Sequence, residues 1–477
     1  GFFEGRYIFD SVVGFLHYAS PASLGAAYGP NSGRCANGSF AQLGSACPGG
    51  GSPTTPLLLF LQGAGLTGPA TDATGASDIK NEEFGAFAQD KWQVRSNFTL
   101  NIGLRWDAQV LPEPVIAPAF TAYGRFLSDP RFPSNGYLAD QWKMFQPRVG
   151  FSWDIAKNSK SVLRASWGIY YARQNMLSQV GSITTNGVQQ QTIAGGLFAN
   201  PTVLPTWPGL SPVPITPPGT FPLFTGVRVF SRDYENPRIY TTNVGFEQEI
   251  ARNLVFYLDF THSKGVHLTR FLNINRSPRF SSFLSPQLGE VFVTSSVGKG
   301  LYRGFTVGAR RRFSRRLQFE GNYVYSKDLD DDSNERDPFT DRSFDVDNLQ
   351  LDYALADRDI KHKFNFFLSS EPFWGFEVSA RIQARSAQPI TPGARTATNR
   401  NSTRKDNEFF SFDWRVTRPI RFNDRFSLTP LVEMFNTTNS DNLVNPLTTP
   451  GLFNFDGFLR QGVGDPRQLQ VAVKFTF

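Results

Sequence analysis

The chain has 477 residues, 40% hydrophobic, 14% aromatic and 19% charged, and 48 Lys+Arg against 41 Asp+Glu give a formal charge of +7. With Phe 46, Tyr 14 and Trp 8 but only Cys 2, it is too aromatic for a disordered chain and too poor in cysteine for a disulfide scaffold. The longest aliphatic and aromatic runs, 57–61 and 254–258, fall far short of the roughly 18–20 residues of a helical membrane span. A mean hydropathy of −0.30 beside so many phenylalanines suits residues that alternate between two environments better than one large buried core.

In chain order, the sequence opens at Gly1 without an initiator Met or an apolar leader and reads as strand from Phe2, which predicts the C-terminal part of a longer protein. Cys35 and Cys47 share a Gly/Ser/Pro-rich stretch and would close a short disulfide loop in an oxidising compartment; the alternative is two unpaired loop thiols. The run 57–62 is ambiguous. Gly63, Gly65 and Gly68 match a dinucleotide fingerprint, but Pro69 and a Thr/Gly/Ser/Asp-rich stretch follow where a helix must open, so this reads as a loop.

From there period-2 alternation recurs. Phe98, Leu100, Ile102, Leu104 and Trp106 form one face, and Thr99, Asn101, Gly103, Arg105 and Asp107 form the other. Similar stripes start near Phe145, Leu163, Val244, Leu254, Phe305, Leu317, Phe364, Phe376, Phe410 and Phe426, and the chain closes on Leu469, Val471, Val473, Phe475 and Phe477. The connections alternate in size. Short turns lie near 95–97, 156–160, 251–253, 314–315, 372–374 and 420–424; long ones span 111–143, 174–238, 328–359, 388–408 and 439–466. Short turns at one end, long loops at the other and aromatics at strand ends (Trp92, Trp106, Trp153, Tyr170, Tyr171, Tyr323, Tyr325) are the layout of an antiparallel transmembrane β-barrel with long extracellular loops and short periplasmic turns. About 14–17 strands are expected, with 57–62 and 266–296 unassigned. The proline-dense stretch 200–224 cannot pair inside a sheet and reads as an exposed loop.

Charge is uneven. Residues 326–359 hold twelve acids and four bases, a local −8 that leaves +15 elsewhere. Asp328, Asp330 and Asp332 have the 1-3-5 spacing of a calcium loop, but Ser333 and Phe339 stand where Gly and Glu are needed, so a solvated acidic loop is the leading reading and loosely held calcium the weaker one. Otherwise no cofactor is expected. The basic run Arg310, Arg311, Arg312, Arg315 and Arg316 sits at a tight turn, which argues against nucleic acid; Arg310 and Arg312 should face the lumen. His17, His262, His267 and His362 are scattered, and no hydrolase, zinc-protease or nucleotide-loop motif occurs, so no enzyme is predicted.

These residues also carry a family resemblance. Phe84, Gln89, Asp90 and Trp92, followed by Leu100, Asn101, Gly103, Leu104, Arg105 and Trp106, resemble a hairpin signature of TonB-dependent outer-membrane receptors. Gln146, Pro147, Arg148 and Gly150 resemble the next hairpin; Tyr323–Lys327 running into an acidic loop, and Asp357 to Phe364 with His362, are similar to the Oar-like branch. The resemblance implies a 22-stranded barrel of which residues 1–477 are one N-terminally truncated domain, without the plug, the TonB box and the carboxypeptidase-regulatory-like domain. It implies a Gram-negative outer membrane, contact with membrane lipid, TonB acting through the missing plug region, and an unidentified extracellular ligand moved across the membrane. Val473, Phe475 and Phe477 resemble the C-terminal signal read by the barrel-assembly machinery. The alternatives are a passive porin or adhesin barrel, and a secreted all-β carbohydrate-binding or carbohydrate-active protein.

Overall fold

The computed structural model describes residues 6–64, 79–187, 191–197, 201–210, 227–285, 288–314, 316–333, 341–443 and 465–477. Two short strands open it, β1 (Arg6–Phe9) and β2 (Leu57–Ala64), with helix α1 (Val12–Ala19) between them. Next come β3 (Glu82–Arg95), β4 (Phe98–Val110), β5 (Gln141–Asp154), β6 (Ser161–Tyr171), β7 (Gln191–Gly195) and β8 (Arg238–Ala251). The rest are β9 (Leu254–Asn273), β10 (Val291–Ser314), β11 (Leu317–Asp330), β12 (His362–Ser370), β13 (Glu377–Arg385), β14 (Phe409–Thr417), β15 (Ser427–Phe435) and β16 (Gln468–Thr476).

One sheet holds sixteen strands. Three are short segments, Val227–Phe230, Ala354–Leu355 and Ile420–Arg421; the others, β3–β6 and β8–β16, form an antiparallel meander in which each strand pairs with the next. Among the described residues β3 pairs only with β4 and β16 only with β15, so both edges are open. The strands turn where the sequence places its short connections. In the two-residue turn between β8 and β9, Asn253 takes φ 65°, a left-handed conformation that Asn tolerates. Arg315 lies outside the described residues. The prolines within the wall sit where no ladder donor is needed. Pro147 lies just outside the β5–β6 pairing, which starts at Arg148, and Pro430 falls at the break between the β14 register and Ile420–Arg421.

Register turns alternation into two faces. Val244, Phe260, Phe305 and Tyr325 lie side by side across β8–β11 on the outer face. The opposite face carries Asn243, Thr261 and Ser326 around Gly304 in the adjoining rows. Large outer-face side chains stay exposed, as a lipid-facing wall requires: Phe260 is 41%, Ile102 52% and Val471 69% accessible.

The apolar cores lie in the long connections rather than in the wall. One joins Tyr123, Phe132, Val229, Leu272, Leu284 and Val291; a second joins Leu111, Leu138, Ile183, Phe230 and Tyr234. Strands β9 and β10, 20 and 24 residues long against the roughly 9–11 that cross a bilayer, project beyond it and contribute Leu272 and Val291 to the first core. The ambiguous segment 57–62 belongs to a separate three-stranded sheet, β1-β2-β7, with Leu57 and Phe60 buried against Tyr18 of α1. Residues 65–68 of the glycine motif lie outside the described residues, as do 211–224 of the proline-dense stretch.

Candidate functional site: a polar lumen beneath ion-paired loops

Alternation places a polar ladder on the inner face. Arg105 binds Asp107 at 2.8 Å, Gln146 also donates to Asp107, and Arg148 donates to Gln146 at 3.2 Å while its guanidinium lies 4.5 Å from the centre of the Tyr170 ring. Glu247 accepts from both Arg164 at 2.6 Å and Arg310 at 3.1 Å, so Arg310 faces the lumen as its position in the alternation requires. Arg381 binds Asp413 at 2.7 Å, and Arg415 pairs with Glu433. Two glycines make room for inner side chains. A Cβ on Gly103 would stand 3.3 Å from that of Gln89, and one on Gly308 would lie within 2.3 Å of the Tyr257 ring.

At the extracellular end the acidic connection is clamped, which corrects its reading as a solvated loop. Arg270, at the projecting end of β9 and fully buried, reaches Asp352 at 2.9 Å, Asp332 at 3.6 Å and Asp331 at 4.0 Å. The neighbouring connection, 386–408, supplies Arg400 to Asp330 at 2.6 Å, Arg404 to Asp359 at 2.7 Å, Arg395 to Asp352 at 3.0 Å, and Asn401 to Asp357 at 2.8 Å. Arg276 adds a bond to Asp341 at 2.9 Å. Burying so many carboxylates is tolerable because each gains a guanidinium and further hydrogen bonds. Burial pushes the Asp331 carboxyl up despite the Lys299 backbone N–H and the Arg270 charge. Burial also pushes Asp357 up, but the Asn401 hydrogen bond and the charges of Arg342, Arg400 and Lys405 together hold it below its ordinary range.

Asp328, Asp330 and Asp332 are therefore drawn apart, to Arg358, Arg400 and Arg270 respectively. Among the described residues no three His, Cys, Asp or Glu side chains converge as metal ligands. Cys35 and Cys47 form a disulfide. Gln89 faces Gly103 across the β3–β4 pair on the inner side and Asn101 faces Lys91; Asp90 and Trp92 point to the outer side. His362 stands on the outer face, where its Nδ1 lies 2.6 Å from the Tyr323 hydroxyl. Val473 and Phe475 line the outer face of β16, and Phe475 stacks on Phe426 and Phe477 with ring centres 6.0 Å apart.

Sequence reading missed a lumen-side cleft of about 530 Å³ at the upper ends of β13–β16. Arg381, Arg385, Phe409 and Asp413 line it beneath the loop amides of Gln388 and Asn407. Arg381 is neutralised by Asp413, whereas Arg385 lies 5.8 Å from the Phe409 ring centre and, among the described residues, its buried Nη1 has no hydrogen-bond partner. No local motif marks the cleft, because its wall is assembled from four strands.

An apolar outer face, a polar inner face and a one-sided distribution of long loops define a transmembrane β-barrel wall of the Gram-negative outer membrane. The chain belongs to the outer membrane beta barrel domain family, whose model matches residues 26–408. No curated protein sequence matches it. Among solved structures it resembles the outer membrane transporter YddB from Escherichia coli, with a TM-score of 0.52 and 13% identity over 83% of this chain and 45% of that one. The FrpB iron transporter from Neisseria meningitidis gives 0.49 and 11% over 85% and 47%, and the ferric-catecholate import receptor Fiu from E. coli K12 gives 0.45 and 12% over 92% and 48%. The chain thus spans a little under half the length of the structures it resembles.

Proposed function

We propose that this chain is the barrel wall of a TonB-dependent transporter of the Oar-like kind, which captures a ligand at its extracellular loops and passes it through the lumen. The observation that carries the reading is the clamping of two neighbouring long connections into one ion-paired body above a polar lumen cleft in which Arg385 has no carboxylate partner among the described residues. A ligand-capturing surface needs loops held in place, and a lumen lined by charges and amides suits a hydrophilic cargo. The fold shared with YddB supports a transporter wall. The open edges of β3 and β16 are where further strands complete a closed barrel, since an unpaired edge is costly in lipid. A plug carried outside this sequence supplies the contact with TonB. Val473, Phe475 and Phe477 present the last strand to the assembly machinery, and no catalytic role is assigned.

The test uses the protein made from its complete reading frame. In planar bilayers it should show no steady open conductance, and it should retain the periplasmic domain of TonB in a pull-down. A constant open pore that ignores TonB would identify a passive porin instead.

A further inference from the structure

Alternation turns Arg385, the last residue of β13, to the inner face, directly opposite Phe409 of β14. The lumen arginines Arg105, Arg164, Arg310, Arg381 and Arg415 each reach a carboxylate. Among the described residues Arg385 reaches none: its side chain has neither an ion pair nor a hydrogen bond, and its Nη1 is buried. The Phe409 ring, 5.8 Å away, offers a π-face but no acceptor. The adjacent acid is already saturated. Asp413 Oδ1 accepts from the Ser411 hydroxyl at 2.6 Å and the Asn436 backbone N–H at 2.9 Å, and its Oδ2 accepts from Arg381 Nε at 3.1 Å and Nη2 at 2.7 Å. A buried guanidinium donor without an acceptor is costly, and a ligand that brings the acceptor removes that cost.

The cleft around Arg385, about 530 Å³, has the size of a small-ligand pocket. Phe409 and Phe435 give it apolar walls. Gln388, on its polar side, is held by its neighbour: its backbone N–H donates to Asn407 Oδ1 at 3.0 Å, and its Oε1 accepts from Asn407 Nδ2 at 2.9 Å. That exchange occupies the Gln388 acceptor and leaves its Nε2 as an uncommitted donor among the described residues. With Arg381 and Asp413 paired, the charges left over in the lining are one cation, Arg385, and one carboxylate, Asp465, which has no cation partner among the described residues. A dianion such as phosphate would meet Asp465 as a like charge. A single carboxylate matches the one open guanidinium fork, which is shaped to give it two parallel hydrogen bonds.

We propose that Arg385 receives a carboxylate of the cargo, while Gln388 Nε2 donates to an oxygen beside it and the Phe409 and Phe435 rings carry its apolar part. Two sources present this chemistry: a peptide C-terminus, with amide oxygens nearby, and a uronic acid sugar, with hydroxyls nearby. The site deepens the cargo-capturing role proposed above and rests on it.

The experiment uses the protein made from its complete reading frame, purified in detergent, with capture read by native mass spectrometry. Two probes are offered, a casein peptide digest and glucuronoxylan oligosaccharides bearing one uronic acid, each as the free acid and after methyl esterification. The wild type should retain one of the free-acid probes at least about tenfold more than its ester, and the probe retained names the source. Arg385→Met should lose the same factor, and Arg385→Lys, which keeps the charge without the fork, should recover only part of it. Heat-modifiable mobility on gels establishes that the variants are folded, and the ester comparison needs no variant. Capture of neither free-acid probe, equal capture of acid and ester, or undiminished capture by the folded Arg385→Met would overturn the site. TonB retention is measured on the same preparation. Loss of the site with TonB still retained leaves the transporter reading standing, and carboxylate capture without TonB retention overturns that reading and not the site.

Discussion

Arg270 and Asp352, 82 residues apart, form a 2.9 Å ion pair in which both side chains are only 1% exposed. Removing one partner of a buried pair costs up to about 3–5 kcal/mol, and Arg395, 3.0 Å from Asp352, offsets part of that loss here. In Arg270→Met, Asp331, Asp332 and Asp352 lose their common guanidinium. The expected outcome is rapid proteinase K cleavage within 331–361 on intact cells, with the barrel still heat-modifiable. Wild-type resistance in the variant would show that the pair does not secure the loop.

Asp357 gives the same region a pH dependence. Its carboxyl is held below the ordinary range, so the folded loop favours the charged form. The associated stabilisation is fully present above the unfolded value of about 3.9 and is lost as pH falls through the depressed folded value. Hydrogen exchange in 354–361 should therefore stay slow, after correction for intrinsic rates, down to about pH 4 and accelerate below it. Asp357→Asn should remove that acid transition.

Leu258 and Thr306 test the assignment of faces. Leu258 lies on the outer face beside Val307, and Thr306 lies on the inner face beside Asp259. Leu258→Arg should destabilise the refolded barrel by about 2–4 kcal/mol, whereas Thr306→Arg should change it by less than about 1 kcal/mol. Comparable losses in urea titrations would mean that the two faces are misassigned.

Gly308 is filled from across the sheet, since a Cβ there would lie 2.3 Å from the Tyr257 ring. Gly308→Val should push that ring off its seat and away from Glu320, which the Tyr257 hydroxyl reaches at 3.4 Å, costing about 1–3 kcal/mol. A lowered midpoint of the heat-modifiability transition measures the effect, and Tyr257→Ala in the same chain should relieve part of it.

The wall was legible in the sequence because alternation and turn spacing are local signals. The stripes at Leu100–Leu104 and Leu254–Phe260 needed only period and sign. The segment 57–62 was not legible, since a short apolar run reads alike whether it crosses a bilayer or packs on a loop helix; Tyr18 decides it, and Tyr18 lies 39 residues away from Leu57. The acidic stretch was misread for a related reason. Its partners Arg270, in β9, and Arg395, Arg400 and Arg404, in the next long connection, lie far off in sequence, so counting local charge left −8 with nothing to balance it. The disulfide was open on spacing, and the fold brings Cys35 and Cys47 together.

The arginine clamps also set the size of the unit that can move. Arg270 issues from one hairpin, Arg395, Arg400 and Arg404 from another, and all close on the connection between them. Displacing any one of the three means breaking contacts shared with the others, so they open cooperatively or not at all. The clamped connections then behave as one body rather than as independent fingers, and whatever displaces them must supply the whole cost in one event.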